Sequence, residues 1–138
     1  MISKTAEYAL KAVLRLAQSP ATTRLTAAEL AESLQVPQNY LSKILHTLSR
    51  SGVLDSVRGP HGGFRLAVPT AELSLATVIE PFDELTRQRA CLLGRPQCLE
   101  TSPCAAHHRW RDLQSRYSQF FRETTVAQLL GEATTTPG

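Results

Sequence analysis

Residues 26–50 read TAAELAESLQVPQNYLSKILHTLSR and specify two helices joined by a tight turn. Thr26 stands before an apolar-periodic run with Glu29 three positions on, a spacing at which the two residues satisfy each other's orphan N–H groups, so a short helix is predicted over 27–34. Gln35-Val36-Pro37 interrupts it, and Pro37, with its fixed φ and no N–H to donate, suits the first turn of a second helix. That second helix carries Tyr40, Leu41, Ile44, Leu45 and Leu48 on one side and ends near Ser51-Gly52. Two such helices form a helix-turn-helix, whose second helix fits a DNA major groove. Gln38, Asn39, Ser42, Lys43 and His46 fall away from the apolar stripe near the start of that helix, where base edges and phosphates are reached. The competing reading of the same five residues is a solvated helix face.

The next segment favours DNA. Val53-Leu54-Asp55-Ser56-Val57 and Phe64-Arg65-Leu66-Ala67-Val68 read as two short strands around Arg58-Gly59-Pro60-His61-Gly62-Gly63, a β-hairpin wing. Its glycines allow a protruding loop that carries Arg58, Gly59 and His61, with Arg58 set to enter a minor groove or meet phosphate. A nucleotide cradle is disfavoured, because no Gly-Lys-Ser/Thr follows the glycines and no helix starts directly after them.

On the N-terminal side, Ala6, Leu10, Val13, Leu14 and Ala17 recur at helical spacing and predict a helix ended by Ser19-Pro20. On the C-terminal side, Leu73 to Ile79 reads as a short helix ended near Pro81, and the periodicity then lapses from 86 to 103. Beyond it, Trp110, Leu113, Tyr117, Phe120 and Phe121 form one apolar stripe on a long helix, with Val126, Leu129 and Leu130 adding a final turn. Such a stripe is either internal core or a seam shared with a second copy. The shared seam is preferred, since a helix-turn-helix usually reads two half-sites as a two-fold dimer. The resulting division is a winged helix-turn-helix over 1–70, a linking helix and cysteine-bearing loop over 71–104, a dimerisation helix and final turn over 105–130, and a flexible tail over 131–138.

Composition narrows the function classes. At 138 residues with 42% apolar residues the chain holds one core, which excludes a multidomain machine. No apolar run approaches the roughly 20 residues of a membrane span, and MISKTAEYAL lacks the apolar core of a signal peptide, so the cytoplasm is the expected compartment. Up to Thr70 there are eight Lys and Arg against four acids, whereas the remainder has seven Arg against eight acids. The basic half is therefore the helix-turn-helix half, as a polyanion-binding face requires. No paired carboxylates or nucleophile elbow can be traced, and the chain is not expected to be an enzyme.

All three cysteines, Cys91, Cys98 and Cys104, lie within fourteen positions, with His107 and His108 just beyond. An odd number cannot all pair, and thiolates clustered on a loop of a cytoplasmic protein suit a soft metal or an iron-sulfur cluster. The wide spacing favours iron-sulfur over the tight C-x-x-C knuckle of many zinc sites. Zinc, a reversible thiol switch and three inert thiols stand beside that reading.

Tyr8-Ala9-Leu10, the segment Leu25 to Leu34, Asn39-Tyr40-Leu41, Leu48, Gly52-Val53-Leu54, Val57-Arg58-Gly59-Pro60 and Gly62-Gly63-Phe64-Arg65-Leu66 together resemble the Rrf-type winged-helix regulators, the family of IscR, NsrR, RirA and CymR. The resemblance covers about residues 1–130, and the cysteine loop followed by Trp110-Arg111-Asp112-Leu113 resembles its cluster-binding branch. It implies a mainly helical fold with a small hairpin wing, and a homodimeric transcription regulator of double-stranded operator DNA. It also implies an iron-sulfur cluster reporting iron, oxygen, nitric oxide or cluster supply, with 2Fe-2S favoured and 4Fe-4S the alternative.

Cys91, Cys98 and Cys104 match the family's three thiolate ligands. For the fourth, His107 matches the histidine of the IscR type, while Glu7 sits where the NsrR type supplies an acid from the partner subunit's first helix; His107 is preferred. Six residues separate Cys91 from Cys98, one more than the IscR type usually has. Asn39, Tyr40, Ser42 and Lys43 match the recognition-helix contact region, and Arg58 matches the wing arginine of the minor groove. Ser42 stands where IscR-like proteins carry a glutamate that discriminates between site classes, so the operator does not carry over. CymR-like members imply the alternative of a metal-free regulator controlled by thiol oxidation or a partner protein.

Overall fold

The computed structural model describes residues 2–20, 22–83 and 107–135. Helix α1 (Lys4–Ala17) starts at Ser3, whose hydroxyl accepts from the Ala6 N–H at 3.1 Å. It buries Ala6, Ala9, Ala12, Val13 and Leu16. Helix α2 (Ala27–Leu34) starts at Thr26, whose oxygen accepts from the Glu29 N–H at 3.1 Å and whose hydroxyl donates to the Glu29 carboxylate at 3.2 Å. Half of the reciprocal pairing anticipated from the sequence is present: Thr26 takes the Glu29 N–H, whereas the glutamate accepts from the Thr26 hydroxyl instead of its backbone N–H. Gln35 ends α2 in the left-handed region, and Pro37 stands at the N-cap of α3 (Gln38–Arg50), which buries Leu41, Ile44, Leu45 and Leu48.

Strands β1 (Leu54–Val57) and β2 (Gly63–Leu66) pair antiparallel, with Asp55 opposite Arg65 and Ser56 opposite Phe64. A bridge between Leu25 and Phe64 adds one residue of a third strand: each N–H donates to the other's carbonyl, at 3.0 and 2.7 Å. Gly63 makes this approach feasible. Its φ is +133°, and a Cβ there would lie 2.7 Å from the Leu25 carbonyl oxygen.

After a single turn over Thr70–Glu72, α4 (Leu75–Ile79) is capped by Ser74 and buries Leu75, Ala76, Val78 and Ile79. Helices α5 (His107–Glu123) and α6 (Val126–Thr135) complete the described chain. One helix with a final turn was anticipated over 105–130, yet the helix breaks at Thr124-Thr125. There the Thr124 carbonyl accepts from the Leu75 N–H at 2.9 Å and the Val126 N–H donates to the Leu73 carbonyl at 2.8 Å. Thr125 then caps α6: its hydroxyl accepts from the Gln128 N–H at 3.2 Å, and its own N–H donates to the Gln128 side chain at 2.8 Å. Residues 131–135, read from sequence as part of a flexible tail, belong to α6. Gly131 lies inside α6, where its cost relative to alanine is only about 1 kcal/mol. The loop expected over 86–103 lies outside the described residues, as do 136–138.

The core is continuous. Helix α1 packs against α3, α4 and β2, and α4 packs in turn against α5. On α5, Phe121 is buried and Tyr117 packs on it at 4.9 Å. Burial, and secondarily the Asp83 carboxylate, push the Tyr117 phenol above its ordinary range. Among the described residues, no helix is long and apolar enough to cross a membrane.

Gly63→Ala is expected to cost about 2–4 kcal/mol, from left-handed strain plus collision with the Leu25 carbonyl, read as a lower urea midpoint. An unchanged midpoint would show that the third-strand contact does not hold the wing.

Candidate nucleic-acid interface

The apolar stripe of α3 turns its opposite side outward. Gln38, Asn39, Lys43, His46 and Arg50 are exposed, with Ser42 half-buried between them. The hairpin rises beside this face, and a groove runs between the two. Lys43, His46, Thr47 and Arg50 line it from α3 and Ser56 from β1. It continues past Ser42 and Thr26 to Val57, Arg58 and Gly59. The His46 ring meets Phe64 edge-on at 6.0 Å, so the helix side and the wing side are in contact at its floor.

Charge follows the same geometry. Among the described residues no Asp or Glu lines the groove, whereas Lys43, Arg50 and Arg58 do. Such a trough suits a polyanion, because each phosphate neutralised by Lys or Arg releases condensed counterions. At the hairpin tip the Gly62 N–H donates to the Gly59 carbonyl at 2.9 Å, closing a turn that leaves Arg58, Gly59 and His61 exposed.

The structure thus gathers Ser42, Lys43 and Arg58 around one groove, with Gln38 and Asn39 at the exposed start of α3 and His61 at the wing tip. Tyr40 is engaged differently. Its hydroxyl lies 3.0 Å from that of Thr5, and its ring meets Tyr8 edge-on at 5.9 Å, so it joins α3 to α1 while remaining 38% exposed. Thr47, Arg50 and Ser56 escaped the sequence reading. For Thr47 and Arg50 the signal was present, since they sit at i+4 and i+7 from Lys43 on one helical face.

Cys91, Cys98 and Cys104 lie outside the described residues, and His107 is the first residue of α5. Glu7, on the first turn of α1, lies 3.3 Å from Lys11 and 3.8 Å from Lys4. Among the described residues no group of three or more His, Cys, Asp or Glu is arranged to hold a metal. On α5, Leu113 and Phe120 are 59% and 52% exposed, so the aromatic stripe is only partly used by the internal core.

A family model described as Rrf2, iron-dependent transcriptional regulator, matches residues 2–132. The regulator IscR of Vibrio atlanticus is 32% identical over 129 residues, covering 94% of this chain and 74% of that protein. Among solved structures, T. potens IscR aligns with a TM-score of 0.77 at 19% identity, over all of this chain and 93% of the other. CymR, the global cysteine regulator of B. subtilis, aligns with a TM-score of 0.79 at 19% identity, over 95% and 96% of the two chains. Both structures share the winged-helix fold seen here.

Lys43→Ala and Arg58→Ala are each expected to lower the slope of log affinity against log salt for duplex DNA by about one. Tyr40→Phe is expected to cost about 1 kcal/mol of stability or less while changing that slope not at all. Fluorescence anisotropy across a salt series and a urea melt read both; unchanged slopes for both cation variants would remove the groove from the interface.

Proposed function

The chain belongs to the Rrf2 family of transcription regulators, and from that membership we propose that it works as a homodimer on double-stranded operator DNA in the cytoplasm, sensing redox, nitric oxide, iron or iron-sulfur status through a cluster held by Cys91, Cys98, Cys104 and His107. Its relatives are transcriptional regulators, not enzymes. The observation that carries the DNA half is the acid-free groove between α3 and the wing, which faces Lys43, Arg50 and Arg58 with no opposing carboxylate among the described residues. Asn39, Ser42 and Lys43 are the proposed major-groove readers, and Arg58 the proposed minor-groove contact. The exposed Leu113 and Phe120 support the dimer, because two apolar side chains more than half exposed on one helix gain from a second copy.

The donor set fits the cluster. Three thiolates and an imidazole are soft to borderline ligands, the chemistry that iron-sulfur centres use. A bound cluster supplies iron-thiolate bonds open to oxidation and nitrosylation. Its influence can reach the DNA face through contacts of this chain. The Asp83 carboxylate, just before the cysteine-bearing segment, accepts from the Ser3 N–H at 2.6 Å, and α1, which starts there, holds Tyr40 of α3 through Thr5. A change at the cysteines would thereby reweight two dimer arrangements with different half-site spacing. For the fourth ligand, His107 is preferred to Glu7, which would have to exchange its pairs with Lys4 and Lys11 for a metal. A second reading, control by thiol oxidation or a partner protein without a metal, is supported by the equal structural likeness to CymR.

Anaerobically purified protein is expected to absorb in the visible, with matching iron and sulfide counts. Cys91→Ala, Cys98→Ala and Cys104→Ala should each remove that absorbance while leaving the fold intact. His107→Ala, but not Glu7→Ala, should shift the spectrum. Colour retained in all three cysteine variants would reject the ligand set, and a colourless, iron-free protein that still binds DNA would transfer the sensing role to thiol chemistry or a partner.

A further inference from the structure

At the root of the wing, Asp55 of β1 stands opposite Arg65 of β2. Its Oδ2 lies 3.3 Å from both Nε and Nη2 of Arg65. The same oxygen lies 3.5 Å from Nη2 of Arg24, the residue immediately before the Leu25–Phe64 bridge. One carboxylate thus joins three segments: the strand-like residue before α2, β1 and β2. Two guanidiniums share a single anion, and Arg24 Nη1 is buried with no acceptor among the described residues. Without the carboxylate these two cations would repel one another across the hairpin root. The ladder ends at Val57–Gly63, so the orientation of the Arg58-bearing loop is inherited from this root.

We propose that Asp55 is a positioning residue for DNA binding: through Arg24 and Arg65 it fixes the wing against the chain entering α2, and so sets where Arg58 meets the duplex. The proposal rests on the DNA-binding reading above. It predicts an effect opposite in sign to simple electrostatics. Removing a negative charge from a basic DNA-binding domain should by itself tighten binding to any duplex. Loss of a wing anchor should instead weaken binding to a duplex whose sequence the wing helps to read. Because Asp55 and Arg65 are 45% and 41% exposed, solvent screens the pairs and the expected loss is modest.

The test uses a labelled duplex selected by the unaltered chain from a random-sequence pool, beside the unselected pool. Asp55→Ala is expected to weaken the selected duplex by about fivefold to tenfold, leaving the unselected pool unchanged or bound more tightly. In an Arg58→Ala background the same substitution should cause no further loss. Asp55→Asn, which keeps the shape without the charge, should fall between, and it carries the test should Asp55→Ala fail to fold. Selected-duplex binding that is unchanged or tighter in Asp55→Ala would overturn the proposal, as would a full loss persisting in the Arg58→Ala background. If the unaltered chain enriches no duplex, the DNA-binding reading fails. Amide exchange then decides the anchor independently: faster exchange along the hairpin in the Asp55 variants sustains it, and unchanged exchange overturns it.

Discussion

Ala6, Ala9 and Ala12 line one face of α1 with no accessible surface, and none carries more than a methyl group. That smallness lets α3, α4 and β2 all pack closely on a single helix. Little of the stabilisation comes from the alanines themselves, since each removes only a methyl from water. It comes from the larger side chains that enter the same core: Leu41, Leu45 and Leu48 of α3, Val53 before the hairpin, and Val78 and Ile79 of α4, all fully buried. Enlarging an alanine of α1 would force helices apart in a core packed to crystal-like density. The fold depends on that close approach.

Placing α1 at the centre has a functional consequence. Helix α3 and the segment leading to the cysteines do not need to touch, because both are fastened to α1. Tyr40 bonds to Thr5 on one side, and Asp83 receives the Ser3 N–H on the other. The hairpin is fastened to the same groove. Phe64 is shared between His46 of α3 and the backbone of Leu25, so the groove wall and the wing root meet at one residue.

Local signals carried most of the architecture. The Thr26–Glu29 cap, the Pro37 break and the apolar stripe of α3 are features of neighbouring residues, and they recur in the structure at the positions read from sequence. The hairpin was equally legible, from its glycines and flanking β-formers. What escaped is long-range. The Leu25–Phe64 bridge joins positions that no local pattern relates, and the break at Thr124-Thr125 arises because Leu73 and Leu75 capture that backbone. The apolar pattern shifts phase there, since Val126, Leu129 and Leu130 would fall on the opposite side of a continued α5 from Tyr117 and Phe121. A Thr-x-x-Gln capping signature at Thr125–Gln128 also marks the break. Tyr40 combines two readings: helical periodicity puts it on the inward side and family resemblance among the DNA contacts, and it meets Thr5 and Tyr8 of α1 while staying 38% exposed. For the cluster ligands, sequence remains the whole argument, because Cys91, Cys98 and Cys104 lie outside the described residues.

The central claim is that the state of the cysteine-bearing segment and the affinity of the α3–wing groove are linked. Linkage is a coupling free energy and is read directly as a ratio of dissociation constants. The decisive measurement is therefore an anaerobic titration of one selected duplex with the iron- and sulfide-loaded protein and with the same preparation after chelation. The account predicts dissociation constants that differ by about fivefold or more, the range of ordinary allosteric coupling. Equal constants for the two forms on every duplex the protein selects would contradict it.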